Sequence, residues 1–252
     1  MRFPYEGKLA IFTSFYSYQA YAPYTICLAH TLGALSRLGV AWDYLARPSD
    51  FHVERAINNT LTELMERDDF TDVLMIDSDE SWRPEDVTRL LLHPQEIVAG
   101  TYKMKNNWAE YVGTINRDAE GRPIGIVGND GKALLSANRV AAGFLRIKIS
   151  ALRKWAAAYP DLVAQEPDGK KVQFFSRALW DGEMYCQDMA FSRRWLEIGG
   201  ELWIDPNLQI GHWGFECHEG DYDAHLRGKT KMLEAFETIR KAAREIEMRK
   251  AA

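Results

Sequence analysis

The first third of the chain alternates short apolar runs with helical stripes, and this alternation restricts the fold more than any other feature. Lys8 to Ser14 (KLAIFTS) is an apolar run ending in small polar residues, as a buried strand does where it enters a loop. From Tyr24 to Leu38 apolar side chains recur at helical spacing (Cys27, Leu28, Leu32, Leu35, Leu38), and Gly39 stands where a C-cap glycine belongs. Val40 to Leu45 reads as a second strand. Val53 to Met65 reads as a second helix, with Val53, Ile57, Leu61 and Leu64 on one face. Asp72 to Ile76 (DVLMI) is apolar at almost every position, which suits a strand covered on both faces. Strand, helix, strand, helix, strand predicts an α/β fold with a mostly parallel central sheet and crossover helices.

Beyond this unit the pattern becomes mixed. Pro84 to Leu92 is a helix and Glu96 to Tyr102 a strand. Tyr111 to Ile115 and Ile124 to Val127 are short strands beside the turn signals Glu120-Gly121 and Asn129-Asp130-Gly131, a small antiparallel element. Leu134 to Ile147 reads as a strand broken at Gly143, and Ser150 to Tyr159 as a helix stopped by Pro160. Ala164 to Lys171 is polar and reads as loop. Met189 to Ile198 is a helix ended by Gly199-Gly200, followed by short strands at Glu201 to Ile204 and Leu208 to His212. From His225 a long helix is expected, with Met232, Phe236, Ile239, Ala243 and Ile246 on one stripe. No repeat or linker divides the sequence, so one domain is expected over 1–252.

A net charge of -5 argues against a chain built chiefly to hold nucleic acid or an anionic membrane. Cys27, Cys186 and Cys217 lie far apart with no C-x-x-C pair, which predicts neither a disulfide framework nor a zinc knuckle and points to a reducing compartment. The N-terminus has no basic-then-apolar signal pattern, and no apolar run is long enough for a membrane span. A cytoplasmic protein is the expectation.

The chemistry is expected where the third strand ends, at Asp77-Ser78-Asp79. In extended geometry residues two apart project to the same side, so Asp77 and Asp79 can converge on one cation while Ser78 points away. Ligands of open α/β sheets bind beyond the carboxyl ends of strands, where these acids lie. Hard divalent cations such as Mg2+ and Mn2+ take oxygen ligands, and a bound cation neutralises the charge that develops on a diphosphate leaving group. The same residues also suit a plainer role, with one aspartate capping the next helix and the other solvated.

Asp77-Ser78-Asp79 after DVLMI, with Trp82-Arg83-Pro84 opening a helix, resembles the D-x-D segment of GT-A glycosyltransferases, in particular the family-two-like group with its phage and bacterial members. Arg55 with Asn58 and Asn59 resembles the donor helix of that group. Ala142-Gly143-Phe144-Leu145 resembles its acceptor segment, Cys186-Gln187-Asp188-Met189-Ala190-Phe191 its "ED-x-x-F" motif, and Leu208 to Gly214 its late "H-x-G" segment. The resemblance implies a GT-A fold: a nucleotide-sugar-binding half (1–103), an acceptor-binding half (104–220) and a C-terminal helix (221–252). It implies that Thr13, Ser14, Phe15, Arg55, Asn58, Asp77, Ser78 and Asp79 bind the donor. Asp77, Asp79 and His212 would hold Mn2+ or Mg2+, imidazole being a plausible Mn2+ ligand. Gly143, Phe144, Trp180 and Trp213 would line the acceptor. Asp188 would be the general base of an inverting transfer. Where the group carries an acid before this aspartate the chain has Gln187, so Glu183 and Asp181 are alternative bases, and a helix-capping Asp188 is the plain reading.

Among the aromatics, Tyr16, Tyr18 and Trp213 are the expected ligand-facing rings. His218, beside Cys217 and Glu219, lacks the second pair that a metal site needs. The donor implied is a UDP-sugar. The acceptor is a glycan, a lipid-linked sugar, a protein or a modified nucleobase of DNA. Lys229, Lys231, Arg240, Lys241, Arg244, Arg249 and Lys250, interleaved with glutamates, read more simply as a solvated helix face than as a DNA patch. A nucleotidyltransferase is an alternative, though TSFYSYQAY after the first strand lacks the glycines of a phosphate loop; a non-catalytic carbohydrate- or nucleotide-binding relative is another.

Overall fold

The computed structural model describes residues 3–15, 18–48, 52–106, 110–128, 131–215 and 217–228. The alternation at the start folds as expected. Strand β1 (Lys8–Phe15) leads to α1 (Ala22–Leu38), β2 (Ala41–Pro48), α2 (Val53–Met65) and β3 (Asp72–Ile76), and β1 lies parallel between β2 and β3. Pro23 opens α1 with its fixed φ. Gly39 closes it at φ 73°, donating its N–H to the carbonyls of Leu35 and Ser36. The chain continues through β4 (Glu80–Ser81), α3 (Pro84–Leu92), β5 (Ile97–Ala99), β6 (Thr114–Ile115), β7 (Gly125–Val127), β8 (Ala133–Arg139), β9 (Phe144–Lys148) and α4 (Ile149–Ala158). Two hairpins follow, β10 (Val163–Glu166) with β11 (Gly169–Val172) and β12 (Ala178–Trp180) with β13 (Glu183–Tyr185). Helix α5 (Gln187–Glu197), β14 (Leu202–Ile204), β15 (Gly211–Trp213) and β16 (Cys217–His218) complete the named elements.

The main sheet has nine strands among the described residues, along β2-β1-β3-β9-β5-β14-β8-β6 with β7 on β8. It is mixed but mostly of one direction. β5 and β14 pair in parallel, while β9 runs antiparallel between β3 and β5. The two faces follow the period of two. Ala10, Phe12, Val73 and Met75 face a core with Ile57, Leu61 and Leu64 of α2, Leu152 and Trp155 of α4, and Phe191 and Trp195 of α5. Leu9, Ile11, Leu74 and Ile76 face the other way, onto Tyr24 and Leu35 of α1 and Val87, Leu90 and Leu91 of α3. Both faces are therefore covered, and this is why DVLMI is a continuous apolar run.

Three expectations change. Leu134 to Ile147 is not one broken strand: β8 and β9 sit apart in the sheet, because residues 140–143 carry the chain from its far side back to β3. Inside β9 Arg146 is 1% exposed. Its guanidinium pairs with Asp72 at 3.2 Å and donates to the carbonyls of His93 and Gln95. Ala164 to Lys171 is the β10–β11 hairpin rather than loop, since Val163 pairs with Val172 and the latter is buried. Of Leu208 to His212 only the end is strand, paired with β4 instead of the main sheet. Residues 222–228 are helical. The stripe from Met232 onward and the basic residues from Lys229 lie outside the described residues. No helix among those described is long and apolar enough to cross a membrane.

Candidate active site at the carboxyl ends of the sheet

The parallel strands β1 and β3 end side by side, and the chain after β3 is locked in place. The Asp77 N–H donates to the Gly143 carbonyl (2.8 Å), the Ser78 carbonyl accepts from Tyr21 N–H (3.0 Å), and the Asp79 carbonyl accepts from Trp213 N–H (2.8 Å). Three segments distant in sequence thus converge on Asp77-Ser78-Asp79. A fourth joins through Asp188, in the first turn of α5, whose Oδ2 accepts from the Ala142 N–H at 3.3 Å.

A small sheet, β16-β15-β4, stands beside this turn. Residues directly opposite in antiparallel strands share a face. Glu80 lies opposite His212, and His212 opposite His218, so these three project to one side; Ser81, Gly211, Trp213 and Cys217 project to the other. His212 Nδ1 is 3.0 Å from the Lys103 carbonyl, to which it can only donate. The lone pair is therefore on Nε2, 3.9 Å from Asp79 Oδ2. Burial lowers the His212 pKa, and the nearby Lys105 adds to this, which favours the neutral ligand form. Asp79 Oδ2 also accepts a short hydrogen bond from the Lys105 ammonium.

The site is acidic and tightly built. A Cβ on Gly143 would come within 2.2 Å of the Tyr102 hydroxyl, 2.5 Å of Glu80 Oε1 and 2.8 Å of Asp77 Oδ2. Gly143 is thus a glycine because acids and a phenol close over its backbone. Glu80 is fully buried, with the Tyr102 hydroxyl beside its carboxyl. Burial, then the charges of Asp77 and Asp79, push its carboxyl well above the usual range. Asp77 keeps an open face to solvent, yet crowding by protein and then the charges of Asp79 and Asp188 raise it to about 7. With that face open to water, the like charges are the firmer cause. Burial raises Asp188 to about 6, against the lowering effect of the Ala142 N–H.

No family model and no curated protein matches the chain. Similar solved structures include A197 from STIV, at 16% identity over 82% of this chain and 86% of that one, TM-score 0.47. The catalytic domain of Drosophila beta1,4galactosyltransferase 7 in complex with xylobiose matches at 14% identity over 80% and 66%, TM-score 0.46. GalNAc-T7 with UDP, GalNAc and Mn2+ matches at 10% identity over 81% and 43%, TM-score 0.44. The chain spans just under two thirds of the galactosyltransferase chain and less than half of the GalNAc-T7 chain.

Other expected site residues are placed differently. Thr13 is fully buried, its hydroxyl bonded to Tyr24 at 2.5 Å, while Ser14 and Phe15 are half-buried at the mouth of the site. Asn58 does not face a donor: it is 1% exposed, and its amide donates to the Phe175 carbonyl and accepts from the Phe175 N–H. Arg55, on the same helix, is exposed. Phe144 is a core ring against Trp82, not an acceptor platform. Trp180 stands on the β12–β13 hairpin with the Arg193 guanidinium 4.5 Å from its ring centre. Trp213 points away from His212 and donates to Ser81 Oγ at 2.8 Å. Tyr18 is exposed, and Tyr16 lies outside the described residues.

Glu80, Tyr102 and Lys105 belong to the site and were not singled out from sequence. Glu80 extends the acidic run DSDE, which was a usable signal. Nothing local marks Tyr102 or Lys105, which arrive from the chain after β5.

Among the described residues no three His, Cys, Asp or Glu groups form a ready-made metal cage. Asp79 with the Nε2 lone pair of His212 nevertheless suits a divalent ion that completes its shell from a diphosphate and water, as Mg2+-type sites do.

Proposed function

We propose that this chain is a metal-dependent glycosyltransferase that moves a sugar from a UDP-sugar to an acceptor hydroxyl with inversion. The observation that carries this reading is the convergence of Asp77 and Asp79, His212 and Asp188, from three segments distant in sequence, at the carboxyl ends of the parallel strands. Asp79 and His212 would hold Mn2+ or Mg2+, with Asp77 beside them; the ion would neutralise the diphosphate as it leaves. Ser14 and Phe15 border the nucleotide end. Asp188, tethered to the Ala142 N–H, is the base that takes the acceptor proton. The acceptor is a glycan, a lipid-linked sugar or another hydroxyl-bearing molecule.

A melting-curve screen of nucleoside diphosphate sugars with Mn2+ tests the reading, because a ligand bound only by the native state raises apparent stability. A UDP-sugar should raise the midpoint only when Mn2+ is present. Asp79→Ala should abolish turnover while leaving the fold intact. Full turnover of Asp79→Ala in the presence of a chelator would exclude the cation role.

A further inference from the structure

Lys105 meets Asp79 at Oδ2, the same oxygen that faces the His212 lone pair at 3.9 Å. A divalent ion shared by Asp79 and His212 would need that oxygen, so the ammonium and the ion compete for one position. The competitor is also held in place. Lys105 lies on residues 103–106, whose Lys103 carbonyl orients His212. The same segment is pinned by Met104 N–H to the Glu110 carbonyl (2.9 Å) and by the bridge between Lys103 and Tyr111. The ammonium stands 5.9 Å from the ring centre of Tyr21, in the loop tied to Ser78. Lys105 thus links the loops after β1, β3 and β5 across the mouth of an acidic site.

We propose that Lys105 is a resident counter-ion that exchanges partners: it holds Asp79 in the free protein and passes to the donor's phosphate oxygens when a divalent ion takes Asp79. This rests on the cation-and-diphosphate reading above. Its physical basis is charge. Lys105 and Asp79 are each about one-third or less exposed (32% and 26%), so the pair is partly screened and weak enough to exchange. The lysine stem is flexible, its head a compact point charge with three donors. Once the ion occupies Asp79, the diphosphate is the new anion beside the ammonium, which can give it a charge-assisted hydrogen bond.

The test uses the full chain and two probes, Mn2+ alone and UDP in saturating Mn2+, by calorimetric titration. Lys105→Gln removes the competitor, so it should bind Mn2+ about two- to fivefold more tightly than the wild type, the range of a partly exposed ion pair. It should then bind UDP about tenfold more weakly, the effect of losing one charge-assisted hydrogen bond. Lys105→Arg should keep the weaker Mn2+ binding and regain most of the UDP affinity. Melting curves confirm that the variants are folded, as expected at a partly exposed position. Equal Mn2+ affinity in wild type and Lys105→Gln, or UDP affinity unchanged by Lys105→Gln, overturns the exchange while leaving the cation site standing. Mn2+ binding that survives Asp79→Ala overturns the cation reading itself and the exchange with it.

Discussion

Asp188 joins two properties that a base needs: a fixed position and a raised pKa. Its tether to Ala142 sets the position, and burial sets the shift to about 6. Asp188→Asn keeps the shape and removes the basicity. Turnover should fall by about 10²–10⁴-fold with donor affinity little changed, and the wild-type rate should rise with pH through about 6 to a plateau. Steady-state rates across pH, with proton NMR of the first product, check both; retained anomeric configuration or near-normal turnover would make Asp188 a helix-terminus residue only. Gly143 gives a steric test. Gly143→Ala places a methyl group against Tyr102, Glu80 and Asp77, and overpacking of this kind costs about 1–3 kcal/mol. We expect a lower urea midpoint together with weakened Mn2+-dependent UDP binding, because the displaced groups belong to the site. Wild-type stability and binding in this variant would show that the three oxygens move aside freely.

At the scale of elements, α2 reads as a donor helix by resemblance but acts as a brace. Asn58 satisfies both polar groups of Phe175, and Thr62 Oγ1 accepts from the Val172 N–H, so α2 fastens the chain that leads to the β12–β13 hairpin. Removing Asn58 strands buried backbone groups, at about 1–3 kcal/mol for each one left unsatisfied. Asn58→Ala should therefore lower stability in urea while Mn2+ affinity stays within twofold of the wild type; a selective loss of donor binding at unchanged stability would restore the donor role. The strip β15 shows the reverse case. As a three-residue strand it contributes little apolar burial, yet its pairing with β4 sets His212 on the Asp79 side and Trp213 on the other. A register shift of one residue would exchange them.

For the molecule as a whole, the concentration of acids on one side of the sheet makes stability depend on pH. The Asp188 carboxyl is raised from 3.8 to about 6 in the fold. Its stabilising contribution is fully present below the unfolded value and is lost as pH rises through about 6. Asp77 and Glu80 shift in the same direction. A divalent ion binds the deprotonated form and offsets the repulsion. Mn2+ should accordingly raise the melting temperature more at pH 7.5 than at pH 5, and Asp188→Asn without metal should melt above the wild type at pH 7.5 but not at pH 4. Scanning calorimetry at these pH values reads both; an Mn2+ effect that is larger at pH 5 would mean the ion binds elsewhere.

What the sequence determined by itself is what local patterns encode. The continuous apolar runs of β1 and β3, the helical stripes of α1 and α2 and the glycine after α1 specify the parallel unit, because each needs only neighbours along the chain. The acids at the end of DVLMI were legible for the same reason: a buried strand must end somewhere, and polar residues mark the place. The tertiary structure alone decided that β9 enters the sheet antiparallel between β3 and β5. Arg146, a charge inside a buried strand, is tolerated there only because Asp72 and two carbonyls from elsewhere surround it. It alone decided that Asn58 and Phe144 serve the core and that Glu80, Tyr102 and Lys105 serve the site. Burial, pairing and the choice of face depend on contacts between segments far apart in the chain, and no local spacing carries them.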